Sequence, residues 1–116
     1  LAVKISNGES IDFIDQYPYQ NEEKYFNRRD VCKIILEFMK NNNIEKINFK
    51  SSLFIIPGYE FKLCDQLITN FHYPKSTLIL LIAAFIGEDW RKVYNFALDN
   101  NYRFLSYGDS SLLYKK

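Results

Sequence analysis

Histidine is almost missing from this chain: its 116 residues contain one imidazole, His72. Cysteine is nearly as scarce. Cys32 and Cys64 are far apart and form no Cys-x-x-Cys pair. Tetrahedral zinc takes about four nitrogen or sulfur ligands, so this inventory points away from a zinc site and no metal is expected. Two free thiols in a reducing cytosol are the simplest account, which makes a cytoplasmic location the expectation. The four glycines are dispersed, with no Gly-x-Gly-x-x-Gly and no Walker-type loop. That disfavours dinucleotide and nucleoside-triphosphate enzymes. The longest apolar run, Leu78–Ile86, has nine residues, against about twenty needed to cross a bilayer. A buried helix is expected there, and no membrane partner. The opening residues lack the basic region and apolar stretch of a signal peptide. Leu1 in place of an initiator Met is what a fragment or a processed chain would show. The formal net charge is only +1, so steering of a nucleic acid would need a local patch rather than an overall field.

What the chain does have is aromatic mass, ten Phe and nine Tyr. Large rings bury much area each, and core packing accounts for most of them, although a Tyr hydroxyl also serves at a wet site. A single α/β domain or domain fragment is expected over residues 1–116, with three main helices and short strands. Leu1–Ile5 and Ile11–Ile14 read as short strands around an Asn7-Gly8 turn, and Gln16–Asn27 as a loop. From Arg28 to Asn42 the residues Val31, Ile34, Ile35, Phe38 and Met39 recur at helical spacing, with Asn27 as the cap. Ile44–Phe49, Leu53–Ile56, Phe61–Leu63 and Leu67–Thr69 read as short strands, with a turn at Pro57-Gly58. A second helix is expected from Ser76 as N-cap to Gly87 just beyond its end. A third spans Asp89–Asn100 and buries Trp90, Val93, Tyr94, Ala97 and Leu98. Tyr102–Ser106 and Leu112–Tyr114 read as strands around Gly108-Asp109.

Several residues invite functional and plain readings side by side. His72 is the residue type suited to moving a proton near neutral pH, and it sits between a strand and a buried helix, where α/β proteins place ligands. The plain alternative is an imidazole bonding a loop carbonyl. Thr69 and Asn70 offer hydroxyl and amide groups just before it, or simply turn chemistry. Lys75, Ser76 and Thr77 stand at a helix start that attracts anions, and Ser76 serves equally as a cap. Arg103, Tyr107 and Asp109 could bind a ligand or form an ordinary turn.

Three stretches bear on these readings. They are Phe54-Ile-Ile-Pro-Gly-Tyr-Glu-Phe-Lys62, Asp65-Gln-Leu-Ile-Thr-Asn-Phe-His-Tyr-Pro-Lys-Ser-Thr-Leu78, and Tyr102-Arg-Phe-Leu-Ser-Tyr-Gly-Asp109. In order and in spacing they resemble the C-terminal part of the S-adenosylmethionine:tRNA ribosyltransferase-isomerase family of queuosine biosynthesis. The resemblance covers residues 53–116, whereas residues 1–52 diverge and lack the family's upstream Gly-Thr-Thr-x-x-Arg-x-x-Glu segment.

The resemblance implies part of an α/β barrel-like catalytic domain. It implies a transferase that moves the ribosyl group of S-adenosylmethionine onto 7-aminomethyl-7-deazaguanine in the tRNA anticodon loop and isomerises it, giving epoxyqueuosine. The sulfonium acidifies the adjacent 5′-carbon, so a base of modest strength can start the reaction. No cofactor beyond S-adenosylmethionine as ribosyl donor is implied. His72 would be catalytic, and Thr69, Asn70, Lys75, Ser76, Arg103, Tyr107 and Asp109 would bind substrate. A partner chain supplying the family's N-terminal part would complete the site. The alternative is a noncatalytic remnant that keeps the fold and weak RNA binding.

Overall fold

The computed structural model describes residues 1–18 and 26–115. The middle of the expected Gln16–Asn27 loop therefore lies outside the described residues. The fold mixes helix and strand, and its contacts divide the chain into two compact units, Leu1–Phe54 and Ile55–Lys116.

The first unit opens with a helix, α1 (Ala2–Asn7), where the sequence pattern suggested a strand. A five-residue apolar run cannot be assigned by period alone. The Asn7-Gly8 signal is real, but it ends a helix: Gly8 takes the left-handed conformation (φ 70°) and its N–H bonds back to Ile5. Helix α2 (Arg28–Asn41) starts where expected, because the Asn27 carboxamide accepts the Asp30 N–H at 2.9 Å. Such a cap contributes about 1 kcal/mol. Its Val31, Ile34, Ile35, Phe38 and Met39 form one half-buried stripe, and α1 lies against α2. Strands β1 (Phe13–Ile14) and β2 (Lys50–Ser51) pair in parallel over two residues. Ile44–Phe49 and Leu53–Ile56 enter no strand.

The second unit holds the larger core. Strands β3 (Gln66–Asn70) and β4 (Ser110–Tyr114) pair antiparallel, with Thr69 opposite Ser111 and Asn70 opposite Ser110. Leu67 and Leu113 turn one face inward. Helix α3 (Ile79–Ile86) buries Ile79, Ile82, Phe85 and Ile86. Helix α4 (Asp89–Asp99) buries Tyr94 and Ala97, whereas Leu98, expected in that stripe, is exposed. With α1 added, the described residues contain four helices rather than three. Phe61 meets Phe85 edge-on at 4.8 Å, and Phe71 meets Tyr94 at 5.5 Å. Ile82 is 1% exposed at the centre of this cluster, a position where truncation to Ala costs about 2–5 kcal/mol.

Three expectations fail in this unit, and Phe61–Leu63, which bends rather than entering a strand, is the first. Ser76 does not cap α3. The chain enters that helix through consecutive tight turns, with Ser76 N–H on Tyr73 and Ile79 N–H on the Ser76 carbonyl, so no side-chain acceptor is needed. Tyr102–Ser106 forms no strand. Asp109 draws it into a loop instead, and β4 pairs with β3. Gly58 (φ 101°) closes the expected turn after Pro57. Gly87 follows α3 with φ 60° and ψ −148°, a conformation suited to glycine.

Candidate functional site around His72

The polar residues of the second and third blocks meet at the end of the β3–β4 ladder. Strand β3 ends at Asn70, and the chain continues as Phe71-His72-Tyr73-Pro74 toward α3. Phe71 is 4% exposed and anchors this loop in the core. Its N–H donates to the Asp109 carbonyl at 3.2 Å and its own carbonyl accepts the Leu105 N–H at 2.7 Å. The loop is thus sewn to the 102–109 turn on both sides.

That turn is held from within. The Asp109 carboxylate accepts the Arg103 N–H at 2.7 Å, and the Arg103 guanidinium stands 3.7 Å from its other oxygen. The Asp109 N–H returns to the Arg103 carbonyl, and Gly108 N–H bonds to the carbonyl of Leu105, itself at φ 71°. A Cβ on Gly108 would lie 2.3 Å from the Arg103 carbonyl oxygen, so the turn closes only around glycine. Asn70 fastens the turn to β3. Its amide nitrogen donates to the Leu105 and Ser106 carbonyls at 3.0 and 3.2 Å, and its Oδ1 accepts from Ser110 Oγ at 3.0 Å.

His72 is half-buried above this frame. Its main-chain N–H donates to the hydroxyl of Tyr94 at 3.2 Å, and its Nε2 lies 3.4 Å from Thr69 Oγ1. Tyr94 is 3% exposed on α4, with its ring edge-on to Phe71, Trp90 and Phe104. Burial raises the pKa of its phenol above the ordinary tyrosine value, and the bond from the His72 N–H opposes this in part. The hydroxyl therefore stays neutral through the physiological range.

Of the residues singled out from sequence, Thr69, Asn70, His72, Arg103 and Asp109 come together. Lys75 and Tyr107 are exposed and enter none of these bonds, Tyr107 at 97% exposure in the 102–109 turn. The Ser76 Oγ is buried with no hydrogen-bond partner among the described residues. The sequence reading placed Tyr94 only in a buried stripe. The signal for more was available, since a buried Tyr hydroxyl usually finds a partner. The Tyr73–Phe104 stack, 6.1 Å between rings and 13° between planes, was also missed. It joins the two blocks beside His72 and leaves Tyr73 exposed.

No group of three or more His, Cys, Asp or Glu side chains among the described residues is placed to hold a metal ion. Cys32 and Cys64 are free thiols. No helix among the described residues is long and apolar enough to cross a membrane.

Comparison with known proteins bears on what this frame is. Residues 30–113 match the profile of the family described as queuosine biosynthesis protein, so the match takes in most of α2 as well as the three stretches. An S-adenosylmethionine:tRNA ribosyltransferase-isomerase of Rickettsia bellii is 47% identical over 77 residues, which are 66% of this chain and 22% of the relative. The enzyme of the same name from Blochmanniella floridana is 58% identical over 71 residues, 60% of this chain and 20% of its own length. The chain thus spans about a fifth of the length of these curated relatives. A crystal structure of an S-adenosylmethionine tRNA ribosyltransferase from Thermotoga maritima superposes with a TM-score of 0.53 at 40% identity, covering 70% of this chain and 30% of that one. With most of its length inside the family profile and its fold shared with a solved relative, this chain belongs to the queuosine biosynthesis protein family, that of the S-adenosylmethionine:tRNA ribosyltransferase-isomerases.

Proposed function

We propose that this chain supplies the His72 side of a site that transfers the ribosyl group of S-adenosylmethionine to 7-aminomethyl-7-deazaguanine in tRNA and isomerises it, giving epoxyqueuosine. The observation that carries the reading is the joining of two family blocks, through bonds between residues 35 and 36 apart, into one hydrogen-bonded frame around the only histidine of the sequence. In the complete enzyme the frame is part of an α/β barrel-like catalytic domain, and the remaining four fifths of the family's length come from further polypeptide. His72 is the proton acceptor. Thr69, Asn70 and Asp109 keep the loop and turn in place and line the substrate side. Arg103, Lys75 and Tyr107 meet the tRNA anticodon loop, the first two as cations for phosphate and Tyr107 as a stacking surface. Ser76 brings to the turns before α3 a buried hydroxyl that has no hydrogen-bond partner among the described residues. S-adenosylmethionine, as ribosyl donor, is the one small molecule the reaction needs besides the tRNA in this reading.

The test is a graft. Residues 30–113 replace the corresponding stretch of the Rickettsia bellii relative, and nucleosides from treated tRNA are read by mass spectrometry. Epoxyqueuosine should form, and His72→Ala should lower its rate by roughly 10²–10⁴-fold, the usual worth of a placed general base. A folded graft that makes no product would point to a noncatalytic remnant. Full turnover in the His72→Ala graft would remove His72 from the mechanism.

A further inference from the structure

A neutral imidazole carries its proton on one nitrogen and a lone pair on the other, and the neighbours decide which. His72 has one such neighbour. Its Nε2 lies 3.4 Å from Thr69 Oγ1, and Nδ1 meets no partner among the described residues. The hydroxyl of Thr69 has a single proton, and the Asn70 carbonyl at 3.2 Å accepts it whatever the tautomer of His72. Toward His72 it therefore has only lone pairs to offer. With the hydroxyl proton on Asn70, the 3.4 Å contact is a hydrogen bond only when Nε2 carries the ring proton and donates it.

We propose that Thr69 fixes the neutral His72 ring in the Nε2–H tautomer and leaves Nδ1 as its proton-accepting atom. Thr69 is then a positioning residue rather than a substrate ligand. Three anchors support it. The Thr69 carbonyl accepts from Ser111 Oγ at 3.3 Å on the neighbouring strand. The acceptor of its hydroxyl proton, Asn70, is tied into the 102–109 turn. The main chain of His72 is clipped to the buried Tyr94 hydroxyl, so the ring has a fixed origin.

Only the use of Nδ1 in catalysis rests on the proposed function. In that step a substrate C–H or N–H bond breaks, its electron pair stays on the substrate, and the proton moves to Nδ1. The ring becomes an imidazolium, and its Nε2–H bond to Thr69 becomes charge-assisted and stronger. The proton later passes to product or water, restoring the same tautomer.

The tautomer is measurable without turnover. Long-range proton–nitrogen correlation spectra of the ¹⁵N-labelled 116-residue chain, at a pH where the ring is neutral, should show a pyridine-type nitrogen at Nδ1 and a pyrrole-type nitrogen at Nε2. Thr69→Val should pull the two shifts together toward tautomer averaging, and Thr69→Ser should restore their separation. A wild-type ring with its proton on Nδ1, or with averaged shifts, would overturn the proposal even if Thr69→Val failed to fold. Unchanged shifts in a folded Thr69→Val variant would overturn it as well. If the shifts come out as expected while the His72→Ala graft retains full turnover, the tautomer stands and the catalytic reading falls.

Discussion

Tyr94→Phe removes one oxygen atom from the core and isolates what that atom does. The ring contacts to Phe71, Trp90 and Phe104, at 5.5, 6.0 and 6.2 Å, remain available to phenylalanine. What disappears is the acceptor for the His72 N–H. A neutral hydrogen bond of this kind is worth about 0.5–1.5 kcal/mol net. Two effects work against the upper end. His72 is only half-buried, so water can reach its freed N–H, and the variant no longer has a phenol to desolvate. About 1 kcal/mol of destabilisation is the expectation, which lowers the melting temperature of a domain of this size by about 4–8 °C. Tyr94→Ala also deletes the ring and should cost about 3–5 kcal/mol. The assay pairs thermal melts with amide hydrogen exchange, because the exchange of His72 reports the clip directly. In Tyr94→Phe that single amide should exchange faster while the α4 amides hold. If its melting and its His72 exchange both match wild type, the hydroxyl does not hold the loop and the reasoning fails. A loss as large as that of Tyr94→Ala would show that oxygen and ring cannot be separated.

The remaining expectations concern space and pH. Gly108→Ala should destabilise by about 1–3 kcal/mol, because the new Cβ meets main-chain atoms of Arg103 and Phe104 that cannot swing aside. An unchanged denaturant midpoint would contradict the closed turn. Burial raises the folded-state pKa of Tyr94 above the unfolded value, so at high pH the folded state holds this proton more tightly than the unfolded chain. The resulting stability is fully present below the ordinary tyrosine pKa of about 10 and is lost as pH climbs through the raised folded value. Stability should accordingly fall in alkaline solution, and less steeply in Tyr94→Phe. Parallel slopes for the two proteins in denaturant titrations above pH 10 would refute this.

The sequence by itself determined what a short window can carry. The stripe of α2, its Asn27 cap, the aromatic face of α4, the turn at Gly58 and the glycine after α3 each depend on residues within one or two turns of each other. The three blocks that place the chain in its family are also local strings. Periodicity was silent where runs were short, as at Ala2–Asn7, which folds as a helix.

Tertiary structure decided the rest. Whether 102–106 becomes a strand depends on the Asp109 carboxylate capturing the Arg103 N–H and on β4 choosing β3 as its partner. Leu98 is the more apolar of two neighbours on α4, yet of the two it is Ala97 that faces the core. The site follows the same rule. Thr69, Asn70 and His72 could be named from sequence, but the Asn70 bonds to Leu105 and Ser106 span 35 and 36 residues, and Tyr94 reaches His72 across 22. Such partners are selected by strand register and by the need of each buried polar group for a bond. Neither is written in any local stretch of the chain.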